Sequence, residues 1–174
     1  SDSVITRSTI EAERERLAEL RSLANYVIDT SSLKVAEMNS ELDKLFESKT
    51  KKDTFVINFM SFGYKHGMPT EADWVIDVRF IPNPYYVSSL KRLTGNNKKV
   101  AQYVMKQDVT KEFVNRIQEI ITRLVPCYVK EGKYSLTVAF GCTGGQHRSV
   151  TLANEFYKIF TSQGWRVTLE HREL

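Results

Sequence analysis

In residues 54–171, short apolar runs rich in β-branched and aromatic residues alternate with amphipathic segments. Four runs have the composition of buried strands: TFVINFMSFG (54–63), DWVIDVRF (73–80), YSLTVAFG (134–141) and WRVTLEH (165–171). Apolar residues at helical spacing predict helices over about 97–106, from near Phe113 to a stop near Pro126, and over about 146–160. This alternation predicts an α/β fold with a mostly parallel sheet flanked by helices, in which the first two strands are neighbours.

Residues 1–50 read as a separate helix–strand–helix unit. STIE at Ser8 to Glu11 has the form of a capping box and predicts a helix from about Thr9 to Leu23. NYVIDTSS (25–32) predicts a short buried strand, and apolar residues between Val35 and Leu45 predict a second helix. The charged stretch ESKTKKDT (47–54) then predicts a domain boundary near Lys49 to Asp53, with a second domain over 54–174.

Length and composition limit the class of protein. A chain of 174 residues that is 41% hydrophobic can bury a real core. Its apolar runs are shorter than the roughly 18 residues of a membrane span, and its polar start is no signal peptide, so we expect a cytoplasmic protein with no membrane contact. Cys127 and Cys142 are too few for a disulfide framework and lack C-x-x-C spacing, so we expect reduced thiols and no metal site.

The stretch GCTGGQHRS (141–149) predicts an anion-binding loop between a strand and a helix. Its glycines, among them Gly144 and Gly145, let the backbone come close to a ligand. The helix that begins near His147 offers free N–H groups and the positive end of its dipole, and Arg148 adds a guanidinium suited to two phosphate oxygens.

The same loop leaves a catalytic alternative open, because Cys142 and Arg148 have the C-x5-R spacing of cysteine phosphatases. Such surroundings lower a thiol pKa and favour a thiolate nucleophile. A phosphatase also needs a general acid, for which Asp73 and Asp77 are the candidates. The other interpretation is that Cys142 is a small residue that fits a turn beneath bound phosphate.

Two further segments follow predicted strands, where ligands of open α/β sheets bind. SFGYKHGMP (61–69) contributes Lys65, which brings charge, and His66, which can donate a hydrogen bond to a hydroxyl or phosphate; a simple turn is the other interpretation. DVRFIPNP (77–84) contributes Asp77 and Arg79, which alternatively form an internal ion pair.

Basic residues are concentrated in residues 79–133, which carry 11 basic and 4 acidic side chains, a net of +7. Residues 1–54 carry 9 basic and 11 acidic side chains, a net of −2. A local basic surface attracts polyanions such as nucleic acids through phosphate neutralisation and counterion release. Solvated faces of two amphipathic helices are the other interpretation.

Three separated motifs, SFGYKHGMPTEADWVIDVRFIPNPYY, LTGNNKKV and FGCTGGQHRSV, resemble in order the carboxyl-terminal domain of the RapZ/YvcJ family of bacterial proteins. The resemblance runs from about residue 54 to EHREL at the end of the chain. Residues 13–42 resemble the end of the family's preceding P-loop kinase-like domain, whose phosphate loop G-x-x-x-x-G-K-[ST] does not occur in this sequence. The chain is therefore identified as a carboxyl-terminal fragment of a family member.

This resemblance implies a regulatory function. Full-length members bind and hydrolyse ATP or GTP, an activity of the preceding domain, so we expect no cofactor and no enzyme activity in this fragment. The best-characterised member is an adaptor that binds small RNAs and governs their decay through a ribonuclease, thereby controlling amino-sugar synthesis. Its carboxyl-terminal domain binds RNA and senses glucosamine-6-phosphate. The implied partners are this phosphosugar, small RNA, a ribonuclease and further copies of the chain in a homo-oligomer.

By resemblance, the phosphosugar pocket maps onto His66, Thr143, Gly144 and Arg148. Together with the anion-site argument, this predicts the following ligand-binding set: Lys65, His66, Thr143, Gly144, Gly145, His147, Arg148 and Ser149. RNA-binding members carry a basic tail after the HR motif, whereas this chain stops at EHREL. We therefore expect RNA contacts within the basic stretch, at Lys91, Arg92, Lys98 and Lys99; the other interpretation is that a basic tail lies outside this sequence.

Overall fold

The structure is a computed structural model that describes residues 7–24, 27–34, 37–38 and 54–174. It divides into two compact units, one within residues 1–48 and one within residues 49–174, and each is described by itself. The predicted boundary near Lys49 to Asp53 and most of the predicted second helix lie outside the described residues.

In the first unit, helix α1 spans Arg7–Leu23, which confirms the predicted helix, but Ser8 lies within it rather than at its amino-terminal cap. Residues 27–34 are not a strand, contrary to the prediction. The Asp29 carboxylate accepts hydrogen bonds from the Ser31 N–H at 2.9 Å and from the Ser31 hydroxyl at 2.6 Å. These local bonds favour a turn, and they outweigh the strand propensity of Val27 and Ile28.

The second unit is an α/β domain with a four-stranded parallel sheet, as predicted. Its strands and helices follow in the order β1 (Val56–Gly63), β2 (Trp74–Asp77), α2 (Lys98–Met105), α3 (Asp108–Lys130), β3 (Ser135–Cys142), α4 (Arg148–Ser162) and β4 (Arg166–His171). The spatial order is β2-β3-β1-β4. The prediction that β1 and β2 are neighbours is therefore wrong. Strand β3 lies between them and pairs in parallel with both, and strand propensity alone does not specify such partners.

The main core lies on one face of the sheet, where residues of all three helices of this unit pack. Phe140 of β3 stacks on Phe156 of α4 with ring centroids 4.9 Å apart, and Phe59 of β1 contacts Phe160 at 5.5 Å. Burial of such rings dominates core energetics. These contacts fix α4 against β1 and β3, and α4 begins soon after the carboxyl end of β3.

The opposite face of the sheet is partly polar. The Asn58 amide donates to Thr137 Oγ1 at 3.1 Å, and its Oδ1 accepts from the Thr168 hydroxyl at 2.6 Å. These bonds join side chains of β3, β1 and β4 at one level of the sheet. Nearer the carboxyl edge, Met60 and Phe62 form a small second cluster.

Helix α3 does not stop at Pro126 as predicted, but continues to Lys130. Proline removes one N–H donor and normally ends or kinks a helix. Here the residues after it are held by the rest of the domain, since the Tyr128 hydroxyl accepts from Trp74 Nε1 at 2.9 Å and the two rings pack edge to face. Tertiary contacts therefore outweigh the local breaker.

Candidate functional site

The strand ends that precede the predicted ligand-binding segments lie together at the carboxyl edge of the sheet. Gly63 of β1 pairs with Cys142 of β3, and Asp77 of β2 pairs with Gly141. Residues 143–147 follow β3 directly and lead into α4. The loop, the segment after β1 and the segment after β2 therefore lie together, where open α/β sheets bind ligands.

Glycine is required for steric reasons at one position in the loop and at one position at the end of β1. Gly145 is buried and has φ +72°, a conformation that other residues rarely adopt. A β-carbon on Gly63 would lie 2.7 Å from the Gly145 nitrogen. The Lys65 N–H donates to the Thr143 carbonyl at 3.1 Å, and the Gly95 N–H donates to the Gln146 carbonyl at 2.8 Å. The end of β1 and the TGNN turn thus hold the loop from two sides.

Arg148 is the first residue of α4 and is only 4% exposed. Its Nη1 donates to the main-chain carbonyls of Arg79 and Ile81, both at 2.9 Å. Its Nη2 makes only a 3.4 Å contact with Thr143 Oγ1, and its buried Nε has no hydrogen-bond partner. One nitrogen therefore anchors the guanidinium to the segment after β2, while two others have unused donor capacity.

The amino terminus of α4 adds donors to the same place. His147 is the N-cap residue, and its side chain makes no capping hydrogen bond. Its ring is buried, with Nε2 lacking a partner. The first N–H groups of an α-helix have no partner within the helix, and the helix dipole makes this end positive. Of the predicted ligand set, Thr143 and Gly144 are at least partly exposed, whereas Gly145, His147 and Arg148 are buried.

Cys142 faces the interior. It is 3% exposed, and its Sγ lies 3.1 Å from the hydroxyl of Ser149, which is fully buried. This contact uses the polar atom of Ser149, a residue predicted to bind ligand. Both side chains thus lie beneath the loop rather than at its solvent face.

Asp73, one of the two predicted general acids, is not placed to serve Cys142. Asp73 donates its N–H to the carbonyl of Thr137, so it lies about five residues, or roughly 16 Å, along β3 from Cys142. Its carboxylate contacts Lys133. Burial alone would raise the pKa of Asp73, but hydrogen bonds from Lys133 and the Thr137 N–H together lower it. Asp73 is therefore at the wrong edge of the sheet and remains ionised.

Asp77 lies at the correct edge but is paired. Arg79 donates to both of its carboxylate oxygens, through Nε at 3.0 Å and Nη2 at 2.7 Å. These hydrogen bonds lower the pKa of Asp77, which keeps it ionised at neutral pH and unable to supply a proton. The internal ion pair, one of the two interpretations of these residues, is the arrangement found.

The segment after β1 is a short 3₁₀ helix, Tyr64–His66, with Lys65 and His66 exposed. Tyr64 was not singled out from the sequence. Its ring lies 4.2 Å beneath the Arg79 guanidinium carbon, a cation–π contact. Burial raises the pKa of Tyr64, the nearby Asp77 raises it further, and Arg79 opposes the shift. Tyr64, Asp77 and Arg79 thus form one side of the site.

Glu173 was also missed by the sequence analysis. A β-carbon on Gly145 would lie 2.3 Å from Glu173 Oε2, so the carboxylate rests against that glycine, and Oε2 is buried without a hydrogen-bond partner. The sequence could have indicated Glu173, because it follows the last predicted strand and so belongs at the same sheet edge as the loop.

The basic residues predicted to bind RNA are all exposed. Lys91 lies 4.6 Å from the Tyr85 ring centroid. Lys99 lines a shallow groove of about 610 Å³ together with Tyr103 and Lys106. Lys98 and Lys99 begin α2, directly after the TGNN turn that bonds to the loop. These side chains are available to a polyanion.

Within the described residues, no group of histidine, cysteine and carboxylate side chains is arranged to hold a metal ion. Across the same part of the chain, no helix combines the length and apolar character needed to cross a membrane.

Comparison with known proteins identifies relatives. A nucleotide-binding protein of Caldanaerobacter subterraneus subsp. tengcongensis is 47% identical over 165 residues, which cover 95% of this chain and 58% of that protein. A nucleotide-binding protein of Thermoanaerobacter sp. strain X514 is 48% identical with the same coverage. One from Clostridium acetobutylicum is 45% identical over 95% of this chain and 56% of its own length. The chain thus spans less than two thirds of these relatives.

The family model of the RapZ C-terminal domain matches residues 55–174, which include the whole parallel sheet, the glycine-rich loop and α4. Most of the chain is covered by this match, and the relatives agree over nearly all of it. The chain therefore belongs to the RapZ family and contains its carboxyl-terminal domain.

Proposed function

We propose that this domain binds a phosphorylated amino sugar, glucosamine-6-phosphate, at the loop between β3 and α4, and that binding serves regulation rather than turnover. The loop N–H groups and the amino terminus of α4 receive the phosphate. Arg148 supplies charge, and Thr143, Lys65 and His66 contact the phosphate or the sugar. The choice of phosphosugar rests on the resemblance to the family.

The Arg148 guanidinium carries this proposal. A buried donor without a partner is costly, and Nε of Arg148 is such a donor. Nη1 is held by two carbonyls, so the guanidinium is fixed before any ligand arrives. Nε and Nη2 together match two oxygens of a phosphate. Thr143, whose hydroxyl covers Nη2, is exposed, and rotation of its side chain would open this edge.

Calorimetric titration tests the proposal, with glucosamine and inorganic phosphate as control ligands. We expect saturable heat with glucosamine-6-phosphate. Arg148→Lys keeps the charge but loses the two parallel donors, and we expect it to weaken binding by about 1.5 to 3 kcal/mol, the size of a charged hydrogen bond. Arg166→Lys, an exposed change at the amino end of β4, is the matched control. Equal affinities of Arg148→Lys and Arg166→Lys for glucosamine-6-phosphate would show that Arg148 does not contact the ligand.

A second function, RNA binding, is supported by the exposed basic residues and by the tyrosines beside them. Lysines neutralise phosphates, while tyrosine rings stack on unpaired bases. We expect affinity for single-stranded RNA to fall with rising salt and with Lys98→Ala and Lys99→Ala. Lys158→Ala, on the exposed side of α4, is the control for loss of one charge. RNA affinity that does not change with salt would exclude this surface.

We do not propose two other activities, nucleotide binding and phosphate-ester hydrolysis, for this domain. The relatives are named nucleotide-binding proteins, and we propose that their ATP or GTP site lies in the part of them that this chain does not span. Phosphatase activity through Cys142 is disfavoured by the paired Asp77 and by the distance to Asp73.

A further inference from the structure

Glu173 comes to the loop from the side opposite Arg148. The Arg172 N–H donates to the Ser61 carbonyl at 3.1 Å, so the ladder of β4 continues one residue beyond His171 and delivers Glu173 to the carboxyl edge. Arg148 instead reaches the segment after β2. Because β2 and β4 are the two outer strands, these residues approach the loop from opposite sides.

The Glu173 carboxylate has an unmet requirement for a donor. Its Oε2 is buried and lacks a hydrogen-bond partner, although it lies against the α-carbon of Gly145. An unpartnered buried carboxylate oxygen is costly, and another anion placed beside it adds repulsion. The residue as a whole is only partly buried, so another part of it faces solvent beside the loop.

The two sides of the loop therefore have opposite chemical requirements. Arg148 Nε needs an acceptor, and Glu173 Oε2 needs a donor. An anion that has no hydrogen to donate, such as sulfate at neutral pH, satisfies only the first. A molecule that satisfies both must carry an anionic group at one end and a hydroxyl or ammonium group at the other, and must be long enough to cross the loop.

We propose that Glu173 is a ligand-contacting residue that sets the selectivity of the loop, favouring phosphomonoesters that carry a hydroxyl or ammonium donor over anions without one. This inference rests on the proposed phosphosugar site, which it extends by one residue and one selection rule. The carboxylate accepts the ligand's donor, and its charge disfavours anions that offer none.

The test compares glucosamine-6-phosphate with sulfate, which has no hydrogen to donate at neutral pH. Affinities of both are measured by calorimetry for the unmodified chain, for Glu173→Gln and for Glu170→Gln. Glu170 is exposed on β4, so its variant loses the same charge away from the loop. We expect Glu173→Gln to reduce the ratio of phosphosugar to sulfate affinity by about tenfold or more, and Glu170→Gln to leave the ratio unchanged. Glucose-6-phosphate then shows whether the donor is ammonium or hydroxyl.

The contrary results are distinct. An unchanged ratio in Glu173→Gln, with phosphosugar binding intact in the unmodified chain, overturns this inference alone. An equal loss for both ligands with a lower melting temperature shows that Glu173 only stabilises the loop, and also overturns it. Absence of phosphosugar binding in the unmodified chain overturns the proposed function and this inference together.

Discussion

Gly63 and Gly145 approach so closely that a β-carbon on Gly63 would lie 2.7 Å from the Gly145 nitrogen. Real β-carbons do not come this near to backbone atoms, so either the strand end or the loop must move if Gly63 is replaced. The contact therefore makes the end of β1 a structural part of the loop after β3.

Gly63→Ala should disturb the site more than the core. Forcing one methyl group into this contact costs about 1 to 3 kcal/mol of unfolding free energy and shifts the loop away from its ligand geometry. Chemical denaturation and phosphosugar titration measure the two effects. Gly144→Ala is the control for stability, because a β-carbon there meets nothing within 4 Å. Equal unfolding free energies for the two variants would contradict the argument.

Cys142→Ser should retain ligand binding. The thiol is buried and contacts Ser149 beneath the loop, and a hydroxyl can make the same contact at a stability cost of about 1 kcal/mol. We expect phosphosugar affinity to change by less than about twofold, since the thiol is not expected to touch the ligand. A phosphoester hydrolysis that disappears in this variant would instead establish the catalytic interpretation.

His171 should make stability depend on pH. Its Nδ1 lies 2.8 Å from the Ser61 hydroxyl and its Nε2 lies 3.3 Å from Asn154 Oδ1, with burial lowering its pKa from the usual 6.5. The unfolded chain therefore binds this proton first as pH falls, so stability declines from about pH 6.5 downward, until the lowered folded pKa is passed.

The measurement is urea denaturation at about pH 8 and about pH 5, a range that spans histidine titration. His171→Gln keeps polar groups but does not titrate, so subtracting its pH dependence cancels the contribution of the carboxylates. We expect the unmodified chain to lose more stability than the variant on acidification. A smaller loss in the unmodified chain would mean that His171 is better bound when protonated.

Pro126→Ala should stabilise α3. Pro126 is exposed within the helix and cannot donate the N–H that its position offers to the Thr122 carbonyl. Alanine restores that donor and has the higher helix propensity, a gain of up to about 3 kcal/mol, reduced by the greater freedom of the unfolded chain. Thermal denaturation checks the direction. A lower melting temperature would show that the backbone conformation imposed by the proline is needed for packing of Tyr128 on Trp74.

Local sequence patterns predicted the elements of the second unit well. Helices α2 and α4 begin and end near the expected residues, whereas α3 begins before Phe113 and continues past Pro126. The strands lie within or close to their predicted ranges, but β2 ends at Asp77, before the end of its predicted run. The strand order was not predictable in the same way, because β3 pairs with β1 across many intervening residues and β-propensity contains no information about partners. At Asp29 a local pattern gave the wrong prediction: the apolar run predicted a strand, but hydrogen bonds of the Asp29 side chain to Ser31 form a turn.

In the candidate site, too, the features formed by neighbouring residues were predictable, and those formed by distant residues were not. GCTGGQHRS could be interpreted as an anion loop because its glycines, helix start and arginine are neighbours in sequence. The main-chain carbonyls of Arg79 and Ile81 anchor Arg148 from nearly 70 residues away in the sequence. A local sequence pattern cannot predict such a contact. Glu173 reaches the loop only through the pairing of β4 with β1, which follows from the tertiary fold.

The hydrogen bonds of Asn58 with Thr137 and Thr168 have a consequence for strand register. A slip of β3 or β4 by one residue along β1 would break one of these bonds and turn that strand's core side chains toward solvent. The same slip would separate Gly63 from Cys142 or displace Glu173 from Gly145. A single asparagine in the middle of the sheet thus helps to align the strand ends that form the site at its edge.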